Sequence, residues 1–114
     1  MKRKVIVLIL VGVVAGCGGG DEPTTTDVYA ARGSLQCSGG GVTLAQQLAQ
    51  LEGAGVAVVS ASCGSDGVPR ITQCGTPSGE IGVFTIPSNQ VGAASSSGFL
   101  PLSRLAGATK TACP

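Results

Sequence analysis

The chain has 114 residues, seven basic and six acidic, with a formal net charge of +1 and no histidine. The missing imidazole removes the usual general base, the usual metal ligand and every Ser-His or Cys-His nucleophile system. The cations are few and scattered, and without a basic stripe to neutralise a row of phosphates nucleic acid is not an expected partner.

The amino terminus reads Met1-Lys2-Arg3-Lys4 and then continues uncharged from Val5 to Val14. This is the charged and then apolar layout of an export signal. A membrane-spanning helix needs about 20 apolar residues, and this run dissolves into Gly18-Gly19-Gly20 and Asp21-Glu22, which is too soon for a span. At its end stands Val14-Ala15-Gly16-Cys17, which resembles the lipobox of bacterial lipoprotein precursors. The resemblance covers residues 1–17 and implies that residues 1–16 are removed as a signal peptide. It further implies that the Cys17 thiol carries a diacylglyceryl group and that the new amino terminus is acylated, so that the membrane is a partner through the lipid on Cys17. Two or three acyl chains anchor firmly where one does not. The competing reading is an ordinary secretory signal with a chance cysteine. Gly18, where an Asp would favour retention at the inner membrane, points by the same resemblance to a cell-envelope protein sorted to the outer membrane. In a single-membrane host the address would be the outer leaflet.

Processing before Cys17 would leave Arg32, Arg70, Arg104 and Lys110 as the cations, against six acidic residues. The segment 17–27 then reads as the lipidated cysteine and a flexible tether rich in Gly and Thr, and 28–114 as one small domain.

Residues alternate from Val28 to Cys37, with Tyr29, Ala31, Leu35 and Cys37 opposite Arg32, Ser34 and Gln36, which predicts a half-buried strand. Ser38-Gly39-Gly40-Gly41 breaks it. Thr43 followed by Gln46 three residues later predicts a capping box opening a helix over Leu44 to Leu51. Leu44, Leu48 and Leu51 give that helix an apolar face, and its three glutamines are expected in water. A second strand is expected over Val56 to Cys63. After a turn at Ser65-Asp66-Gly67 a third is expected over Arg70 to Cys74, and after another turn a fourth over Glu80 to Ile86. Pro87-Ser88 reads as the start of a short helix with Val91 and Ala94 inside and Gly98 at its end. Leu100, Leu102 and Leu105 are expected to complete the core. The sum is a small two-layer α+β domain in the order β-α-β-β-β-α, its sheet covered on one face by the 44–51 helix. If its first two strands paired directly they would run parallel.

Besides Cys17 there are four cysteines, Cys37, Cys63, Cys74 and Cys113. In an exported chain an even set predicts disulfides, here two bridges with three connectivities open. A hairpin between the second and third strands would favour Cys63 with Cys74 and leave Cys37 for Cys113. Structural zinc usually pairs cysteines two to four residues apart, a spacing absent here.

Candidate chemistry is thin. Glu52, Asp66 and Glu80 are the carboxylates a two-acid mechanism would draw on, yet they read as a helix end, a turn former and a solvated side chain. The 38–41 loop lacks the Lys-Ser or Lys-Thr pair of a P-loop, and Ser95-Ser96-Ser97 lacks a nucleophile elbow. Lys110 carries no matching motif, and Arg70 and Arg104 read as surface cations. The expectation is therefore no catalytic, cofactor or metal residue, but a non-catalytic binding or accessory module with an envelope protein as partner. The alternatives are a hydrolase inhibitor using a stiffened loop at Gly64 to Pro69, and a carboxylate-dependent enzyme with Asp66 or Glu80 in a pocket.

Overall fold

The structure is a computed structural model that describes residues 24–113; the expected signal peptide, Cys17 and most of the expected tether lie outside the described residues. In chain order the elements are β1 (Thr25–Ala31), α1 (Leu44–Gly53), β2 (Ser60–Ser65), β3 (Glu80–Pro87), a 3-10 turn at Ser88–Gln90, α2 (Val91–Ser96), β4 (Leu100–Pro101), a second 3-10 turn at Leu102–Arg104, and β5 (Thr109–Thr111). The five strands form one sheet in the order β4-β1-β3-β2-β5, and every neighbouring pair is antiparallel. The α+β class stands.

β3 is the centre because Glu-Ile-Gly-Val-Phe-Thr-Ile presents apolar residues on both faces, as a strand covered on two sides must. Phe84 and Ile86 face the helices, and Ile81 and Val83 the other way; all four are buried. Val28 of β1 pairs with Phe84 of β3. Together with Leu51, Val56, Ala94 and Phe99 these residues form the main core, with Leu44, Leu48 and Val91 packed at its margin. The Phe84 and Phe99 rings meet edge to face at 5.6 Å and 82°, a favoured aromatic geometry.

The helix start follows its capping chemistry. Thr43 Oγ1 accepts the Gln46 N–H at 3.0 Å, and Gln46 Oε1 accepts the Thr43 N–H at 2.8 Å. Two of the four otherwise orphaned donors of a helix start are thereby satisfied. Gln46 and Gln50 are exposed, but Gln47 is only 2% exposed, contrary to the expectation that all three glutamines face water. It stands three residues after Leu44, on the inward face, and its amide donates to the Ala30 and Ala31 carbonyls at 3.2 Å each.

Several boundaries differ from the sequence reading. β1 begins at Thr25, so residues 25–27, assigned to the tether, belong to the sheet. It ends at Ala31, because Leu35 turns back on Gly39 with both backbone hydrogen bonds made between them. The ladder of β2 starts at Ser60 rather than Val56, since the Ala57 N–H is held at 2.7 Å by the Gln90 side chain instead of a strand. β1 and β2 do not pair directly; β3 lies between them. No third strand forms at 70–74. Leu100, Leu102 and Leu105 are half-buried rather than core.

The disulfides join Cys37 to Cys74 and Cys63 to Cys113, which corrects the pairing of Cys63 with Cys74. Cys63 lies on β2 opposite Thr111 of β5, so the sheet edge brings the chain end to it. With all four sulfurs bonded in pairs, none remains as a thiolate ligand.

Candidate functional site

Because β1 and β3 are antiparallel, Thr25 pairs with Pro87 at one end of the sheet and Ala31 with Ile81 at the other. Two long loops, 32–43 and 66–79, leave from the Ala31 end. They are zipped to one another. The Ser78 N–H donates to the Ser34 carbonyl at 3.0 Å, and the Ser34 and Ser78 hydroxyls share a hydrogen bond. Leu35 bridges Pro77, the Gln36 N–H donates to the Thr76 carbonyl at 2.8 Å, and Cys37 is bonded to Cys74. The result is a short ribbon closed by a disulfide.

The base of the ribbon is polar and cross-linked. Buried Ser34 donates to Glu80 Oε1 at 3.0 Å, and Arg32 Nη1 approaches the same oxygen at 3.7 Å. Arg32 Nε donates to the Val42 carbonyl at 3.0 Å, while the Val42 N–H donates back to the Arg32 carbonyl at 2.8 Å. Gly41 makes this possible: at its φ of +79° a Cβ would lie 2.2 Å from the Arg32 carbonyl oxygen. The glycine-rich 38–41 loop is thus explained by backbone geometry.

Gln36 is the central contact of the second loop. Its Nε2 donates to the Ile71 carbonyl at 3.0 Å, and its Oε1 accepts the Gln73 N–H at 2.9 Å. One side-chain amide therefore takes the place of a neighbouring strand. Nearer the loop's start, the Asp66 carboxylate accepts both Arg70 terminal nitrogens at 2.8 Å and the Val68 N–H at 3.0 Å. The Arg70 hydrogen bond holds the Asp66 carboxyl below the usual carboxylate range, as bidentate guanidinium pairing does. Between these two anchors Gly67 to Gln73 is exposed throughout. Val68 is 47% and Ile71 69% exposed, and on the other loop Leu35 is 39% exposed. These are large apolar side chains standing in water on two loops that are braced against each other.

The opposite end of the sheet has a shallow cleft of about 340 Å³ lined by Thr26, Asp27, Leu102, Ser103, Leu105 and Ala108. Its one carboxylate is already engaged, since Asp27 accepts the Thr85 hydroxyl at 2.6 Å and lies 3.1 Å from Lys110 Nζ. Neither Asp66 nor Glu80 lines this cleft. The carboxylate-enzyme alternative required one of them in a pocket with a raised pKa; Asp66 is instead ion-paired and shifted downward, and the Glu80 side chain is 45% exposed. Among the described residues no group of three His, Cys, Asp or Glu could hold a metal ion. Glu52 and Arg104 are exposed and join neither site. Cys17 lies outside the described residues.

The stiffened loop is Gly67 to Gln73 rather than Gly64 to Pro69, because Gly64 and Ser65 belong to β2. The role of Gln36 is not legible in the sequence, where the alternating pattern marks it only as polar. No protein-family model matches the chain, and no curated protein or solved structure matches it either.

Proposed function

We propose that this chain is a lipid-anchored, non-catalytic binding module of the cell envelope, whose recognition surface is the stapled pair of loops 32–43 and 66–79. The observation that carries the reading is the placement of those loops at the end of the sheet opposite Thr25. A seven-residue strand spans about 20 Å. A chain tethered through Cys17 enters the sheet at Thr25 and so presents Leu35, Val68 and Ile71 on the side turned away from the membrane. Eight residues of tether reach at most about 30 Å, which confines the domain near the surface and raises its effective concentration toward an envelope protein partner. The lipobox-like Val14-Ala15-Gly16-Cys17 supports attachment, and Gly18 supports sorting to the outer membrane.

The test is cross-linking in living cells of the native protein and a Cys17→Ser control, followed by affinity purification and quantitative mass spectrometry. A membrane-fraction protein enriched with the native chain, and lost on both Cys17→Ser and Ile71→Asp, is the expected result. Enrichment unaffected by Ile71→Asp would overturn the assignment of the surface, and equal membrane association of Cys17→Ser would overturn the anchor.

A further inference from the structure

We propose that the loop Gly67 to Gln73 is a protease-inhibitory segment that occupies the substrate cleft of a serine endopeptidase, with Thr72 in the primary specificity pocket. The inference rests on the reading of these loops as the recognition surface and names the partner's chemistry. Endopeptidases bind substrates as extended strands, pairing backbone to backbone along one edge and seating side chains in pockets.

The loop is suited to that mode by its residues. Pro69 fixes its own φ and biases Val68 toward extended backbone. Ile71 and Thr72 are β-branched and favour the same region. Gln36 occupies one backbone edge by taking the Ile71 carbonyl and the Gln73 N–H. In an extended chain the groups of alternate residues point to opposite edges, so the N–H and carbonyl of Thr72 are turned to the outside. A partner meets a segment whose conformational entropy has already been removed by Gln36, by the Asp66–Arg70 pair and by the Cys37–Cys74 bridge, and preorganisation of this kind raises affinity.

The position of Gln36 also governs the fate of the attacked bond. In an endopeptidase the serine hydroxyl adds to the Thr72 carbonyl carbon. The C–N bond to Gln73 then breaks, and the Gln73 nitrogen leaves with a proton from the partner's general acid while Thr72 becomes an ester of the enzyme. An ordinary product amine diffuses away and water completes hydrolysis. Here the new amine at Gln73 is still held by Gln36 Oε1 and, one residue further, by the Cys74–Cys37 bond. The Ile71 carbonyl, on the acyl side, is held by the same amide. Both ends of the broken bond stay bracketed by one side chain, the amine returns to the ester, and the peptide bond reforms with loss of the serine hydroxyl as leaving group. The chain then persists in the cleft as a slowly consumed substrate.

The experiment uses the processed full-length protein in detergent with purified pancreatic elastase and subtilisin, which accept small or branched side chains, and with trypsin. Elastase or subtilisin is expected to be inhibited by the native protein. Gln36→Ala is expected to weaken that inhibition by at least about tenfold and to convert the protein into a substrate cut between Thr72 and Gln73. Thr72→Lys, a change at an exposed position, is expected to transfer inhibition to trypsin. Absence of inhibition by the native protein, rapid release of cut native loop, or a Thr72→Lys variant inert toward trypsin would overturn the proposal. If these assays fail while a lipidation-dependent partner is still captured in cells, the inhibitor assignment alone falls; if no such partner is captured, the anchored-module reading falls.

Discussion

Gln47 lies over Gly82 so closely that a Cβ at position 82 would come within 1.9 Å of its side-chain oxygen. A glycine in the middle of a central strand ordinarily weakens it; here it admits a buried glutamine from α1, whose amide nitrogen ties the helix to the Ala30 and Ala31 carbonyls. Gly82→Ala is expected to destabilise the domain by about 1–3 kcal/mol, the cost of overpacking a filled core. Chemical denaturation should show it as a lower midpoint at unchanged slope. Adding Gln47→Ala to Gly82→Ala should recover part of the loss, because residues in contact couple.

The bridges close long loops, with sequence separations of 37 and 50 residues. In the chain-entropy account each contributes about 4 kcal/mol, a large share of the 5–15 kcal/mol typical of a domain. Reduction is therefore expected to lower Tm markedly, and a melt unchanged by a reducing agent would refute this. The two bridges should also separate in effect: Cys37→Ser with Cys74→Ser is expected to free the 66–79 loop to fast hydrogen exchange while leaving β1 and β3 protected.

The Asp66 carboxyl is held below its ordinary range by Arg70, so the pairing contributes stability above the carboxyl's unfolded pKa, near 4, and loses it as pH falls through the lower folded value. The loop is expected to stay braced at neutral pH and to loosen only below the ordinary carboxylate range, which pH-dependent hydrogen exchange at the Val68 N–H would follow. Asp66→Asn should cost about 1 kcal/mol or less and abolish that acid dependence.

Val68→Asp and Ile71→Asp alter side chains that already stand in water, so stability should stay within about 0.5 kcal/mol. If the loop is the recognition surface proposed above, partner capture in cells is expected to fail for Ile71→Asp. A clear loss of Tm in either variant would show that the loop is part of the core rather than a presented surface.

What this sequence determined by itself was local. Thr43 and Gln46 are three residues apart and cap α1 whatever else happens, and the 80–86 run of β-branched and aromatic residues forms a strand because both its faces are apolar. Four cysteines beyond Cys17, an even set, foretold two bridges. The tertiary structure decided what depended on distant neighbours. Arg70 to Cys74 has strand-forming residues, but β3 takes the place beside β2, and the segment is left as a loop braced by Gln36. Cys63 meets Cys113 because β5 pairs with β2, which leaves Cys74 to the ribbon beside Cys37. The edge strands at 100–101 and 109–111 are too short for any periodic pattern, and Gln47 is buried because Gly82, far away in the chain, makes room for it. Capping and strand propensity act over a few residues, whereas strand order and sulfur pairing are fixed by contacts that exist only once the chain has folded.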